Sequence, residues 1–461
     1  MAVDSETLDR LDLEYEHAVV VTVDAEGYPL GVATGYRTDT SRGVVVLDGV
    51  SADVAPAPDH EVNVIFSHVR PQPGMGYDER RYVSLWGTLR STGDPSGGME
   101  LTPERSQSWN EKEIPFFEYS EVSVPQARGY LVDLSERQGR TVKPQLSRGW
   151  LFLRATRLPF VTAAAIPVLL GIAVASLHLH HTVWWAAILT LIGAICVHLG
   201  LNIANDIFDT LSGADAANRT PTQFSGGSRV IHYGLLSMRQ MVTLSALFYG
   251  IAIVIGFVLA FTRGFWPIFG LGVAGVAISI AYTAPPFRLV HRGLGEICVA
   301  LGFGPIMVLG ASYVQEQRFT FEAFYVSLPV AILIALVLYV NEIPDRAGDA
   351  AAGKRTLPVR LSKDGVINLY AAFIAVNYLL IAVGGIADII VRPTLIALIT
   401  IPMALKVYRG MRQSYEDPYA LMPTMGVGVN LHVATGLLLF VGYVIAIVAS
   451  HLMTNPPFFL R

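Results

Sequence analysis

The chain has 461 residues, 52% of them hydrophobic and 15% charged, with a mean hydropathy of +0.47, a balance that a soluble globular protein of this length does not carry. A net charge of −4 and a pI near 6.3 exclude a basic surface of the kind nucleic acid requires. The two cysteines, Cys196 and Cys298, lie inside apolar runs, where a thiol reads as a small buried hydrophobe rather than a ligand or half of a disulfide.

The N-terminal stretch MAVDSETLDRLDLEYEHA has no basic start followed by an apolar core, so it does not read as a secretory signal, and membrane insertion is expected to begin at an internal helix. Acidic and basic residues crowd the chain up to Arg148 and then retreat into short islands between apolar runs. That shift predicts two domains, 1–147 and 148–461.

Between about 17 and 135 the pattern is of short β-type runs: HAVVVTVD, LGVATGYRTD, GVVVLDG, VNVIFSHV, YVSLWGTLRS and GYLVDL. It predicts an all-β antiparallel barrel or sandwich. Asp24-Ala25-Glu26-Gly27 reads as a hairpin turn, Arg70-Pro71-Gln72-Pro73-Gly74 as a loop, and Ser135 to Pro144 as a polar linker. No helix is expected before Trp150.

From there on, apolar runs long enough to cross hydrocarbon, roughly twenty residues each, are expected near 158–178, 183–204, 240–262, 265–284, 294–314, 322–341, 366–388, 393–409 and 426–450. Only helices are credible spans, because lipid offers the backbone no other partner. Arginine and lysine concentrate before the first helix and in alternate connections, at Arg148, Arg154 and Arg157, then Arg219, Arg229 and Arg239, then Arg288 and Arg292, then Arg346 to Lys363. The positive-inside rule puts these connections and the N-terminal domain in the cytoplasm, in a multi-pass protein of the cell membrane.

Chemistry concentrates in two acidic stripes. The second connection opens with Asn202-Ile-Ala-Asn205-Asp206-Ile-Phe-Asp209 and continues to Asp215; at helical spacing Asn205, Asp206 and Asp209 share a face, and Asp215 has to fold back. The sixth helix ends with Asn341-Glu342-Ile-Pro-Asp345-Arg346-Ala-Gly-Asp349, in which Asn341, Asp345 and Asp349 recur every four residues. Carboxylates gathered at the edge of hydrocarbon repel one another and lose hydration, so they make sense around cations. Oxygen-only ligands favour magnesium, which bridges carboxylates to phosphate oxygens. The expected third component is a diphosphate, with Arg219, Arg229, Lys354 and Arg355 as donors and the Phe224–Arg229 Gly-Gly run as a place where backbone amides can approach an anion.

Other candidates stay open between two readings. His178, His180 and His181 form either an exposed turn or a metal site; His198 either lines the pocket or bonds a neighbouring helix; Tyr282, beside Pro285 and Pro286, is either an interfacial tyrosine or a pocket residue.

Asn205-Asp206-x-x-Asp209 with Asp215, and Asn341-x-x-x-Asp345-x-x-x-Asp349, resemble the two aspartate motifs of the UbiA superfamily of intramembrane prenyltransferases, over about 150–450. Ala352 through Leu361, and Tyr282 through His291-Arg292-Gly293-Leu294-Gly295-Glu296, are similar to its 1,4-dihydroxy-2-naphthoate branch. In 4-hydroxybenzoate enzymes the last acid of the first motif stands where this chain has Gly213; here it waits until Asp215, as in the naphthoate branch. The resemblance implies Mg²⁺ held by Asn205, Asp206, Asp209, Asp215, Asp345 and Asp349. It implies a polyprenyl diphosphate gripped by Asn202, Arg219, Arg229, Asn341, Lys354 and Arg355, an aromatic acceptor, and catalysis carried by Asp209, Asp345, Tyr282 and Lys354. The N-terminal half, through its Val-Val-Val-Thr-Val-Asp24-x-x-Gly27 opening and Tyr82-Val-Ser-Leu-Trp86-Gly87, resembles flavin-binding split barrels of the pyridoxamine-phosphate oxidase type, which implies FMN or a cofactor-free appendage. A rival reading is a flavin-dependent oxidoreductase anchored by a non-catalytic helical domain; a transporter would also explain intramembrane acids, though it would place them nearer the midplane.

Overall fold

The computed structural model describes residues 5–23, 29–50, 61–71, 77–92, 98–114, 119, 123, 131–132, 135–137, 139, 148–218, 221–222 and 224–452. The chain divides into two compact units, Met1–Ser147 and Arg148–Arg461.

In the first unit, β-branched runs form β1 (Ala18–Val23), β2 (Pro29–Thr34), β3 (Tyr36–Asp39), β4 (Val44–Leu47), β5 (Glu61–Pro71), β6 (Tyr77–Ser91) and β7 (Met99–Asn110). They make one seven-stranded antiparallel sheet in the order β2-β1-β5-β6-β7-β4-β3. Its two edges, β2 and β3, are separated in the chain by Gly35 alone, so the sheet has to curl until its edges meet. There the Asp48 amide donates to the Gly35 carbonyl at 2.9 Å and the Thr34 hydroxyl donates to the Asp48 carbonyl. The result is a half-barrel whose interior is packed by Val20, Leu47, Val64, Phe66, Leu85 and Leu101.

Two expectations for this unit are corrected. Ser5–Glu14 is a helix, α1, well before Trp150. Leu8, Leu11 and Tyr15 fall at helical spacing and are buried in the barrel core; the charged residues between them hide the stripe from a reading by strand pattern. Tyr36 Oη ties the helix end down, donating to the carbonyls of Leu11 at 2.6 Å and Tyr15 at 2.9 Å. In the run GYLVDL the described residues Leu131 and Val132 are helical. Among the described residues the last strand is β7, which buries few apolar side chains, chiefly Leu101 and Trp109, and so carries little hydrophobic signal. The Asp24–Gly27 turn and residues 72–74 lie outside the described residues, as does most of the expected linker.

The second unit starts with α2 (Arg148–Thr156). Among the described residues, nine helices are long and apolar enough to cross a membrane: α3 (Thr162–Leu179), α4 (Trp184–Ser212), α6 (Met238–Arg263), α7 (Phe265–Thr283), α8 (Gly295–Glu316), α9 (Phe321–Ala351), α10 (Lys363–Ile386), α11 (Arg392–Ser414) and α12 (Pro418–Leu452). A short helix, α5 (Ala214–Ala217), follows α4. The boundaries shift where polar residues or proline mislead. α4 and α9 run on through both acidic stripes, to 29 and 31 residues, and α9 does so in spite of Pro344. At 1.5 Å per residue each is about 45 Å long, more than the roughly 30 Å of hydrocarbon requires. The last helix likewise begins at Pro418 rather than near 426.

Replacing Leu11 by Ala should destabilise the barrel by about 2–5 kcal/mol, the usual cost of a leucine-sized cavity, read as a lower midpoint for the barrel's transition when the full chain is unfolded in urea. An unchanged midpoint would mean that α1 is not part of that core.

Candidate active site

α4 presents Asn202, Asn205, Asp206 and Asp209 on one face, and α9 presents Asn341, Asp345 and Asp349 on the face opposite. Asp206 is buried, 1% exposed, and accepts the Ser228 amide at 3.2 Å to each oxygen as well as the Ser228 hydroxyl. Asp345 accepts Asn218 Nδ2 at 2.7 Å on Oδ1 and the Gly226 amide at 3.0 Å on Oδ2. The Gly226-Gly227-Ser228 loop was expected to offer its amides to a ligand. The structure turns two of them onto carboxylates instead, one from each stripe, so the loop clamps α4 to α9.

This clamp depends on glycine. Gly227 has φ +72°, and a Cβ there would lie 2.8 Å from Asp206 Oδ1; a Cβ on Gly348 would lie 2.8 Å from Asn218 Cα. Arg229, expected on the diphosphate, is buried and donates to the carbonyls of Asn218 at 2.8 Å and Gly226 at 3.2 Å, holding the loop in shape.

Lys354 joins the stripes from the other side. Its Nζ lies 3.4 Å from Asp349 Oδ1 and 3.8 Å from Asp209 Oδ1, with all three side chains nearly covered. Burial works against the ammonium, but the carboxylates of Asp209 and Asp349 outweigh it and hold Lys354 well above the usual lysine range. Asp215 does fold back: α5 brings it under Thr210, whose hydroxyl donates to it at 3.1 Å. Burial, then the nearby Asp209 and Asp206, push its carboxyl up to about 7.

These groups open on a cavity of about 180 Å³, lined among others by Arg157, Asn202, Asp209, Asp215, Asn341 and Lys354. Asp209 Oδ1, Asp349 Oδ2, Asn341 Oδ1 and Glu342 Oε2 are buried without a hydrogen-bond partner. Buried oxygens left in this way cost free energy unless something satisfies them, and hard oxygen donors crowded together suit a hard divalent cation. Among the described residues no three His, Cys, Asp or Glu side chains already converge into a closed ion cage. A cation held here therefore completes its shell with water or with the oxygens of a ligand. The acidic residues of both stripes fit that role.

Tyr282, at the end of α7, lines this cavity and also a second, apolar one of about 200 Å³ that runs between the helices. His198, Leu201, Val299 and Phe303 are likewise shared, so the two spaces meet along one wall. Of the other expected donors, Asn202 lines the polar cavity and donates to the Thr156 carbonyl at 3.2 Å, and Arg355 is exposed outside it. Arg219 lies outside the described residues. His178 is half-buried at the far end of the bundle, between Glu316 at 3.1 Å and Glu322 at 2.8 Å, while His180 and His181 are exposed.

Sequence reasoning missed Arg157, which it used only for topology. This residue adopts φ +52° just before the first span and lines the polar cavity, and the unusual backbone state leaves no trace in the sequence. It also passed over Glu342, whose place beside Asn341 on the acidic stripe was a usable signal, and Asn218 and Ser228, whose role exists only once the loop has folded.

The sequence profile of the UbiA prenyltransferase family matches residues 164–433, leaving the barrel outside the match. A 2-carboxy-1,4-naphthoquinone phytyltransferase of Synechocystis sp. is 30% identical over 298 residues, covering 64% of this chain and 92% of that protein. A 1,4-dihydroxy-2-naphthoate octaprenyltransferase of Bacillus subtilis is 25% identical over 310 residues, covering 67% and 97%. Among solved structures, a UbiA homolog from Archaeoglobus fulgidus bound to GPP and Mg²⁺ matches with a TM-score of 0.45 at 15% identity, over 63% of this chain and 99% of that one.

Replacing Gly227 by Ala should push Asp206 out of place and lower turnover about a hundredfold, as angstrom-scale misplacement of a working group does, with helix content by circular dichroism unchanged. Near-normal turnover would mean that the clamp does not set the site.

Proposed function

Because the chain belongs to the UbiA prenyltransferase family, we propose that it transfers a prenyl group from an allylic diphosphate to an aromatic acceptor of the dihydroxynaphthoate type, with all of this chemistry in 148–461. The observation that carries the reading is the pair of acidic stripes joined by Lys354, facing one cavity with buried, unsatisfied oxygens. The acceptor class rests on the names of the relatives and on Asp215 standing where the naphthoate branch has its last acid.

Asn205, Asp206, Asp209, Asp215, Asp345 and Asp349 would hold Mg²⁺, which when bound neutralises the diphosphate as it departs. The chain's own groups do the rest. Lys354 has three N–H donors and spends its charge on Asp209 and Asp349, which leaves it placed to donate to phosphate oxygens as negative charge develops on them. Asn202 and Asn341 present amides from the two helix faces, and Arg157 adds a permanent positive charge at the rim. The clamp over Asp206 and Asp345 keeps these groups fixed, so little reorganisation accompanies bond breaking. Tyr282, with Phe303 and Val299, separates the polar cavity from the apolar one, where an isoprenoid tail lies and water is excluded from the allylic carbon.

Basic connections follow the helices that carry the stripes, which by the positive-inside rule supports a cytoplasmic acid end of the bundle and a cytoplasmic barrel. In a chain whose native cysteines have been replaced, Cys introduced at His180 should react with an impermeant thiol reagent from the side opposite to Cys introduced at Arg355. Labelling of both from one side would break this topology.

Prenyl transfer by membranes supplied with a labelled prenyl diphosphate and a dihydroxynaphthoate should vanish in excess EDTA and return with Mg²⁺. Asp209→Asn and Asp345→Asn should each abolish it while the protein stays folded in detergent. Activity undiminished in EDTA, or near-normal rates in either variant, would remove this function.

A further inference from the structure

The apolar cavity has more room than helix packing requires. Its walls are single helix faces. On α7, Ile268, Gly272, Gly275, Ser279 and Tyr282 recur every three or four residues; on α6, Ala252, Gly256 and Leu259 do the same; Gly302 and Gly310 contribute from α8. Glycine inside a helix has a destabilising cost relative to alanine. In membrane helices it is usually repaid by close approach of a neighbouring backbone. That explanation fails for Gly256, Gly272 and Gly302: a Cβ at any of them would meet no atom within 4 Å, and none has a positive φ. All three line the cavity, Gly256 and Gly302 partly covered and Gly272 exposed, so bare backbone leaves room along these faces.

The cavity also has a direction. At its polar end it shares His198 and Tyr282 with the acidic site. His198 is 5% exposed, and its Nδ1 has no hydrogen-bond partner. At the other end Leu259, Ile268 and Val314 belong to a buried cluster with Ala186 and Tyr313, which forms a floor. Gly302 stands seven residues into α8 from Gly295, about 10 Å from the acid end; Gly272 stands ten residues from Tyr282, about 15 Å down α7. Gly256 faces the same depth from α6.

Resting on the prenyl-transfer reading above, we infer that Gly302, Gly272 and Gly256 are a length gauge: their bare backbones set how long an isoprenoid tail the chain accepts once the diphosphate is seated among the acids. The tail's reactive end is fixed by the acidic site and its far end by the floor. A side chain added on the wall moves the floor upward by an amount that depends on its depth. Leucine at these helical positions is a better helix former than glycine, so such variants are expected to fold.

The test compares kcat/KM for geranyl and geranylgeranyl diphosphate in the full chain, with one dihydroxynaphthoate acceptor. For Gly272→Leu and Gly256→Leu the value for the longer substrate should fall at least about tenfold, with that for the shorter one close to the parent. Gly302→Leu, nearer the acids, should reduce both. Gly250→Leu is the control, because Gly250 also lies open on α6 but does not line the cavity; it should leave the ratio unchanged. Where a leucine variant does not reach the membrane, alanine at that position should shift the ratio less, in the same direction. Equal loss for both substrates at Gly272 and Gly256, no change at either, or a shift as large at Gly250 would overturn the gauge while leaving prenyl transfer intact. A parent chain that transfers neither substrate would overturn the underlying reading and the gauge with it.

Discussion

The membrane unit is organised around one electrostatic difficulty, the gathering of carboxylates where water is scarce. A buried charge without a partner costs several kcal/mol even after relaxation. The chain meets this cost with fixed dipoles and with the charges of Lys354, Arg157 and Arg229. Two loop amides, the Asn218 carboxamide and the Ser228 hydroxyl saturate Asp206 and Asp345. Lys354 covers Asp209 and Asp349 with its charge, at 3.8 Å and 3.4 Å. The two pairs of acids are therefore unlike. Asp206 and Asp345 are held in place by the loop, while Asp209 and Asp349 each keep a buried oxygen without a hydrogen-bond partner.

That division dictates the shape of the helices. α4 and α9 have to outrun the hydrocarbon so that the acids reach the boundary, and they have to approach closely enough for one short loop to touch both. The loop manages this with Gly227 in the left-handed region and with Gly348 giving room to Asn218. Arg229 fastens the loop through two backbone carbonyls, and its charge also acts on Asp215 at the cavity wall. An arginine beside an acidic motif thus holds the architecture here as well as adding charge to the site.

What was legible in the sequence is what depends on period. Apolar runs of about twenty residues give the spans, and Asn341, Asp345 and Asp349 at four-residue spacing give a stripe whatever surrounds them. Runs of consecutive β-branched valines gave β1 and β4. Illegible were features made by tertiary contact: the inward Leu8, Leu11 and Tyr15 of α1 hidden among charges, the polar β7, and the persistence of α9 through Pro344. Proline lowers the odds of helix locally, but packing of its neighbours Ile343 and Val340, both buried, outweighs that preference.

The two cavities complete the argument, because each is useless for cation chemistry alone. A polar pocket open to water would hold a diphosphate but let solvent capture the allylic carbon, and an apolar channel without acids and Lys354 would hold a tail but give the leaving group no stabilisation. Tyr282, His198 and Phe303 stand where the two meet. The charged side chains thus line only the polar cavity, and these shared residues form its boundary with the apolar one. The acids stand on α4 and α9 and the glycine faces on α6, α7 and α8, while α4, α7 and α8 contribute residues to both cavities. A shift of α4, α7 or α8 would therefore alter both cavities together, and the clamp that ties Asp206 on α4 to Asp345 on α9 bears on both.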